Sequence, residues 1–252
     1  MDQYQRKRRW MDLLLLPLTS AKRIRNPRAL QHLQEGFNRR VLMMDASLRQ
    51  LDETAAKAGG KPISPYAATD LATHLNALYL NLCGALDNLA WALQHERSLL
   101  TGVTEEGRGR LRVGLFSESF LAALEAVAPN LEASLRHHAT WHTELRSLRD
   151  PGAHRIPIYA VPGIMNEQQG AEAIRLSEES ARRFLEGKHE EGMELMFLST
   201  NLGTYQPLMA LSHEGRFELR NMLPQVAHDE EHFIEVAESV LHCLFLGSDG
   251  AA

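Results

Sequence analysis

Cysteine is scarce in this chain, since only Cys83 and Cys243 occur among its 252 residues. A small secreted scaffold held together by disulfides needs more thiols, so that class is excluded and a reducing cytoplasm is expected. Aromatic residues are also few, at 6%, which predicts an aliphatic core. The hydrophobic share of 44% matches an ordinary globular protein and excludes a wholly disordered chain.

Long hydrophobic runs are absent as well. No stretch approaches the roughly 18 to 20 apolar residues that span a bilayer. Arg6–Arg9 followed by Leu13–Leu18 imitates a secretory signal, but Lys22 and Arg23 stand where a cleavage site needs small residues. The sequence therefore predicts a soluble cytoplasmic protein with no membrane partner.

An excess of charge of one sign is also missing from the chain as a whole. Its 27 basic and 32 acidic residues give a net charge of −5, which excludes a globally basic nucleic-acid binder. The distribution is uneven, because residues 1–50 carry 11 basic and 4 acidic side chains. This basic amino-terminal end fits contacts with RNA phosphates or an acidic partner, and equally a solvated helix face.

Start and stop signals indicate two long helices. Asn26-Pro27 is a helix start and Gly59-Gly60 a stop, and the apolar residues between them recur every three or four positions. Ser64-Pro65 repeats the start signal, and a second leucine-rich face continues to about Leu100. Because the link between them is short, we expect the two helices to be antiparallel neighbours.

The rest of the chain predicts shorter elements. A positively charged loop at 101–116 is followed by helices at about 117–128 and 131–149. Ile156–Val161 and Met193–Ser199 are typical of β-strands, with a helix at about 169–186 between them. The fold class is therefore predominantly all-α, a helical bundle with two long antiparallel helices and a small β-hairpin-like appendage. The expected parts are a basic segment at 1–25, a bundle core at 26–162, an α/β appendage at 163–224 and a carboxyl-terminal helix at 225–252 that packs on the bundle.

The most specific local pattern is Arg149-Asp150-Pro151-Gly152-Ala153-His154, at the end of a bundle helix. An arginine, a polar residue, three more residues and a histidine resemble the signature of the HEPN superfamily, which includes RNA-cleaving toxins and defence nucleases. The resemblance covers roughly residues 66–160 and includes Asp87 and Asn88, a polar pair in the apolar segment Tyr79–Leu93 that would line the same pocket. The Pro151-Gly152 step departs from the helix-friendly residues common inside this signature.

The resemblance implies an endoribonuclease that works without a metal or other cofactor, as a toxin or phage-defence component. Attack of a 2′-hydroxyl on a phosphate needs proton transfer, which His154 supplies, and stabilisation of negative charge, which Arg149 supplies. Asp150 is a third catalytic candidate that either orients these side chains or caps the turn at Pro151. The expected partners are RNA, a second copy of the chain and a neutralising or defence-system protein.

Helix geometry constrains this site. Residues five apart on a straight helix point about 140° away from each other, so Arg149 and His154 need either a kink at Pro151-Gly152 or a cleft shared by two protomers. The neighbouring residues expected to bind RNA are His138, His142, Arg146 and Arg155. The first three of these share a helix face with Arg149 and form a stripe that leads to the motif.

Other readings of the same residues stay open. His228, His232 and Glu235 have chelating spacing, and His137, His138 and His142 form a second cluster, but neither has the full pattern of a known metal site, so no metal is expected. The motif also fits a non-catalytic RNA-binding, nucleotide-binding or protein-interaction module. A structural oligomer built on the apolar seam of residues 30–51 is a further alternative.

Overall fold

The amino-terminal basic segment forms a helix, α1 (Gln3–Thr19), in a computed structural model that describes residues 3–154, 156–213 and 216–246. Side chains are described there except at positions 3, 4, 151–154, 213, 216 and 246. Trp10 and Leu13 of α1 are buried. Arg6 and Arg9 contact carboxylates of the last helix, so part of the basic segment already has acidic partners within the chain. No helix within these ranges is long and apolar enough to cross a membrane.

The two predicted long helices are present and antiparallel. The first consists of α2 (Pro27–Gln31), a π-helical turn (His32–Phe37) and α3 (Asn38–Ala58), and the second is α4 (Pro65–Arg97). Asn26 caps the first helix by accepting a hydrogen bond from the backbone N–H of Arg28 at 2.9 Å. Its Nδ2 also donates to the carbonyl of His95 at 2.8 Å, which places the start of one helix beside the end of the other.

The chain forms two compact units. The bundle unit contains Met1–Ser47, Ala77–Arg155 and Val226–Ala252, and the appendage unit contains Leu48–Asn76 and Ile156–Gln225. The bundle unit has a mainly aliphatic core into which a few rings, such as Phe37, Phe120 and Phe233, are fully buried. Its remaining helices are α5 (Glu118–Glu125), α6 (Pro129–His137), α7 (Ala139–His154) and most of α10 (Met222–Leu246).

The single helix predicted at 131–149 is wrong, because it is two helices. α6 ends at His137, the next residue His138 has backbone angles of φ −93° and ψ 4° outside the helical range, and α7 begins directly after it at Ala139. Apolar periodicity continues across the break, since Leu135 and Trp141 are both buried in the core. Sequence periodicity therefore does not reveal the break between α6 and α7, because the apolar residues on both sides of it pack into the same core.

The appendage unit combines a helical hairpin with a small sheet. α8 (Glu167–Leu185) and α9 (His189–Thr200) precede the main strands, and the antiparallel sheet has the order β1 (Tyr159–Ala160), β2 (Leu208–His213) and β3 (Arg216–Asn221). A capping box between Asn166 and Gln169 begins α8. In the sheet, Tyr159 pairs with Ala210, which pairs with Leu219.

The strand predicted at Met193–Ser199 is wrong, because these residues belong to α9. A short apolar run does not distinguish a strand from a buried helix by its periodicity. Tertiary packing decides here, since Ser180 Oγ of α8 donates a hydrogen bond to the carbonyl of Gly192 at 2.7 Å. A side chain at Gly192 would meet the ring of Phe184 at 3.1 Å, so glycine permits this close approach.

Candidate functional site

Arg149 lies on α7, where its guanidinium contacts the next residue. Its Nη1 donates a hydrogen bond to Asp150 Oδ1 at 2.8 Å, and Arg146 Nη2 lies 3.5 Å from Asp150 Oδ2. One carboxylate therefore contacts two guanidinium groups, because Arg146 and Asp150 are one helical turn apart. The hydrogen bond to Asp150 raises the pKa of Arg149, so this side chain stays charged.

Asp87 of α4 lies near Arg146 and Arg149, and these residues form one polar surface with Asp150. Burial raises the pKa of the Asp87 carboxyl, and the positive charges of Arg149, Arg40 and Arg146 lower it in part. The Asp87 side chain nevertheless remains exposed to solvent, so this surface is accessible. Arg149 Nε is buried and has no hydrogen-bond partner among the residues that the structure describes. We call Arg40, Arg146 and Arg149 the arginine cluster.

Arg40 of α3 is held flat against α4. Its Nε donates to Asn88 Oδ1 and its Nη1 donates to Asn81 Oδ1, both at 3.1 Å. Gly84 makes this position possible, because a Cβ atom there would lie 2.4 Å from Arg40 Cζ. Sequence reasoning missed Arg40, Asn81 and Gly84, and it named only Asn88 of this group. The available signal was Gly84 itself, a glycine inside a long helix, where alanine is normally preferred.

Asn88 links Arg40 to a histidine network. While its Oδ1 accepts from Arg40, its Nδ2 lies 3.3 Å from His32 Nδ1. His32 Nε2 lies 3.3 Å from Glu105 Oε1, and His95 Nε2 lies 2.8 Å from the same oxygen. Asp87 and Asn88 were predicted to line one pocket. The charge of Asp87 interacts most strongly with Arg149, whereas Asn88 contacts Arg40 and His32.

The residues of the predicted RNA-binding stripe differ in their exposure to solvent. Arg146 is exposed, while the ring of His142 stacks on Phe116 with centroids 4.1 Å apart. Burial lowers the pKa of His142 to about 4, with a smaller contribution from the charge of Arg146. His138 is only 4% exposed, and its ring faces His232 rather than solvent. Arg155 and the side chain of His154 lie outside the described part of the structure.

Two groups within the described ranges have donor atoms arranged for a metal ion. They are His32, His95 and Glu105, and His138, His232 and Glu235, each with one ligand atom per residue and all of those atoms within 4.8 Å of one another. Neither group includes a member of the arginine cluster. The sequence treated His138 and His232 as members of separate clusters, because they are 94 residues apart.

The polar surface formed by the arginine cluster, Asp87 and Asp150 combines groups of both charges. Three guanidinium groups lie near two carboxylates, and one of those carboxylates, Asp87, has a raised pKa. Planar guanidinium groups match the geometry of phosphate oxygens. No protein-family model, curated protein or solved structure matches the chain. The resemblance to the HEPN superfamily therefore stays a prediction from the sequence motif.

Proposed function

We propose that the chain binds RNA at the arginine cluster and cleaves it there without a metal ion, as an endoribonuclease of HEPN type. The observation that carries this proposal is the setting of Arg149. The hydrogen bond to Asp150 keeps Arg149 charged, this charge lowers the pKa of Asp87 on α4 in part, and the Arg149 side chain is 30% exposed. A phosphate oxygen can therefore reach this guanidinium from solvent, where its N–H groups are suitable donors.

In the proposed reaction, the 2′-oxygen of a ribose attacks the adjacent phosphorus while its proton passes to a base. The bond from phosphorus to the 5′-oxygen breaks, and this oxygen receives a proton to become a hydroxyl. The products are a 2′,3′-cyclic phosphate and a 5′-hydroxyl end. In the proposal His154 exchanges these protons, and Arg149 stabilises the charge that develops on the phosphate oxygens. Asp87 is a positioning residue for Arg149.

A second copy of the chain completes the proposed site. Arg149 and His154 diverge on a regular helix, so a cleft between two protomers brings an arginine of one beside a histidine of the other. An activity of this kind suits a toxin or a phage-defence component with a neutralising partner. Sedimentation analysis at micromolar concentration tests the dimer, and a monomer with full RNase activity would contradict this shared-cleft arrangement.

The decisive experiment incubates the purified protein with a mixed RNA pool in excess EDTA. Wild type is compared with Arg149→Ala, His154→Ala and the matched control Arg110→Ala, an exposed arginine outside the cluster. We expect wild type and Arg110→Ala to leave 2′,3′-cyclic phosphate ends, and the other two variants to lose cleavage. Full activity in an Arg149→Ala, His154→Ala double variant would eliminate the assignment.

One observation favours a second candidate, a module that binds RNA without cleaving it. Asp150 contacts both Arg146 and Arg149, so it competes with phosphate for the two guanidinium groups. Salt-dependent RNA binding by folded wild-type protein, weakened by Arg149→Ala and accompanied by no cleavage, would assign this role instead.

A further inference from the structure

His138 and His232 meet inside the bundle unit through their Nδ1 atoms, which are 2.9 Å apart. His138 lies at the break between α6 and α7, and His232 lies on α10. Glu235 is three residues further along α10, on the same face as His232, and its Oε2 lies 3.7 Å from His138 Nε2. Two imidazoles and one carboxylate therefore converge from two places in the chain.

The local packing fixes the orientation of both rings. The indole of Trp141 stacks on His232 with centroids 5.4 Å apart and an interplanar angle of 20°. The same indole donates from Nε1 to the fully buried carboxylate of Asp229, at 3.0 Å. His138 itself is buried, so its ring has little freedom to turn away. Ligands held in this way lose little freedom when an ion binds, which favours affinity.

We propose that His138, His232 and Glu235 bind a divalent transition-metal ion, with zinc as the expected occupant. Two nitrogen ligands at about 2.0 to 2.1 Å from a tetrahedral zinc ion are about 3.3 to 3.4 Å from each other. The two Nδ1 atoms are 2.9 Å apart, so the rings need to separate by only about 0.5 Å to bind the ion. The Glu235 side chain is 45% exposed and free to turn, and one ligand atom of each of the three residues lies within 4.8 Å of the others.

The donor set determines the class of ion. Imidazole nitrogen and one carboxylate suit zinc and its neighbours, whereas calcium and magnesium prefer sites built from oxygen. Three protein ligands leave a fourth position for water or for His228. The ring centroids of His228 and His232 are 4.5 Å apart. The bound ion would tie α10 to the break between α6 and α7. The proposal is independent of RNA cleavage, since none of its ligands belongs to the arginine cluster.

A shared proton is the competing explanation for the short distance between the two Nδ1 atoms. If His232 donates to His138 Nδ1, then the proton of His138 lies on Nε2, and its nearest carboxylate oxygen is 3.7 Å away. That distance is too long for a hydrogen bond. If His138 Nδ1 donates to His232 Nδ1 instead, His138 Nε2 carries no proton, so the metal titration below is what separates a shared proton from a bound ion. A metal ion satisfies both facing nitrogens at once.

The other histidine group provides an internal comparison. The amide oxygen of Asn88 accepts from Arg40, so its Nδ2 is the donor toward His32 Nδ1. The ring proton of His32 is then on Nε2, where Glu105 accepts it. His95 also contacts Glu105, so hydrogen bonds alone account for this group.

The test uses the full chain, stripped of metal with a chelator and freed of any tag. Zn²⁺ is titrated in competition with a chromophoric chelator, and Co²⁺ binding is followed by its visible absorption. Glu235→Gln and His232→Gln remove ligands, His242→Gln removes an exposed histidine of the same helix, and His95→Gln alters the other group. Circular dichroism shows whether each variant is folded. If His232→Gln does not fold, the nearly isosteric Glu235→Gln is the test.

We expect wild type to bind one ion per chain, with Co²⁺ absorption typical of a four-coordinate site. Affinity should fall on the order of 10- to 100-fold or more in Glu235→Gln and His232→Gln and stay unchanged in His242→Gln and His95→Gln. Equal affinity in wild type, Glu235→Gln and His232→Gln, loss of binding in His95→Gln, or no stoichiometric binding would each overturn the proposal. RNA cleavage is assayed separately in EDTA, so its failure and the failure of this site are distinguishable.

Discussion

Asp87 and Asn88 are adjacent on α4 but interact with different arginines. The carboxyl of Asp87 lies in the field of Arg149, while Asn88 Oδ1 accepts a hydrogen bond from Arg40 at 3.1 Å. Successive residues of a helix point about 100° apart, so Asp87 lies in the field of Arg149 on α7 while Asn88 contacts Arg40 on α3. This arrangement connects α3 to the surface that carries Arg149.

Gly84→Ala tests how Arg40 is held. Alanine normally stabilises a helix interior by about 1 kcal/mol relative to glycine. Here its Cβ would lie 2.4 Å from Arg40 Cζ, so the guanidinium must move and lose its bonds to Asn81 and Asn88. We expect a net loss of about 1 to 3 kcal/mol in the free energy of unfolding, measured by urea denaturation.

The matched control is Gly170→Ala in α8, where an added Cβ has no neighbouring atom within 4 Å. That variant should be more stable by about 0.5 to 1 kcal/mol. In an Arg40→Ala background, Gly84→Ala should also become stabilising, since the clash is gone. Stabilisation by Gly84→Ala in the wild-type background would show that Arg40 does not need this glycine.

The carboxylate of Asp229 is fully buried on α10 and accepts hydrogen bonds from Tyr79 Oη and Trp141 Nε1, both at 3.0 Å. Tyr79→Phe removes one of these donors and keeps the ring. We expect a loss of about 1 to 3 kcal/mol, the usual cost of removing a donor from a buried acceptor, in thermal or urea unfolding. Tyr66→Phe is the control, because Tyr66 is 85% exposed, and it should be neutral.

The long helices could be predicted because their signals are local. The Asn26 cap and the glycines at 59 and 60 lie next to the boundaries they determine, and Gly59 and Gly60 adopt φ values of +55° and +80°. The β2–β3 pair was not predicted. Its strands are six residues each and their pairing depends on contacts across the sheet, as in the pairing of Met209 with Arg220.

The contacts in the candidate sites were predictable from the sequence only where the residues are sequence neighbours. Arg149 and Asp150 are neighbours in the sequence, and their contact follows from that. Arg40 and Asn81 are 41 residues apart, and His138 and His232 are 94 apart, so only tertiary structure brings each pair together. Burial could not be predicted for single residues either. Helical periodicity placed His138 and Arg146 on one stripe, but His138 is buried and Arg146 is exposed.

Cys83 should be almost unreactive in the folded protein. Burial raises the pKa of its thiol to about 12, despite the opposing charge of Arg149. At pH 8 the thiolate fraction is then on the order of 10⁻⁴, and the thiolate is the reactive form. Burial also raises the pKa of Cys243, so a thiol reagent should label neither cysteine until urea unfolds the chain. Rapid labelling of Cys83 at pH 8 under native conditions would contradict this environment.

His142 should make stability depend on pH. Its pKa is about 4 in the folded chain against 6.5 ordinarily, chiefly because of burial. Between pH 6.5 and pH 4 the unfolded chain therefore binds a proton at this position that the folded chain does not. The free energy of unfolding should fall as the pH drops through this window and lose nothing further from this residue below pH 4.

Replacement by phenylalanine isolates this contribution. His142→Phe keeps a ring to stack on Phe116 but does not titrate, so stability should fall less between pH 7 and pH 4.5 than in wild type. Urea unfolding at several pH values measures the difference, and an NMR titration of the His142 ring reports its pKa directly. His242→Gln serves as the control, because His242 is exposed. A ring that titrates near pH 6.5, with parallel stability curves for wild type and His142→Phe, would mean that His142 is not buried against Phe116 in solution.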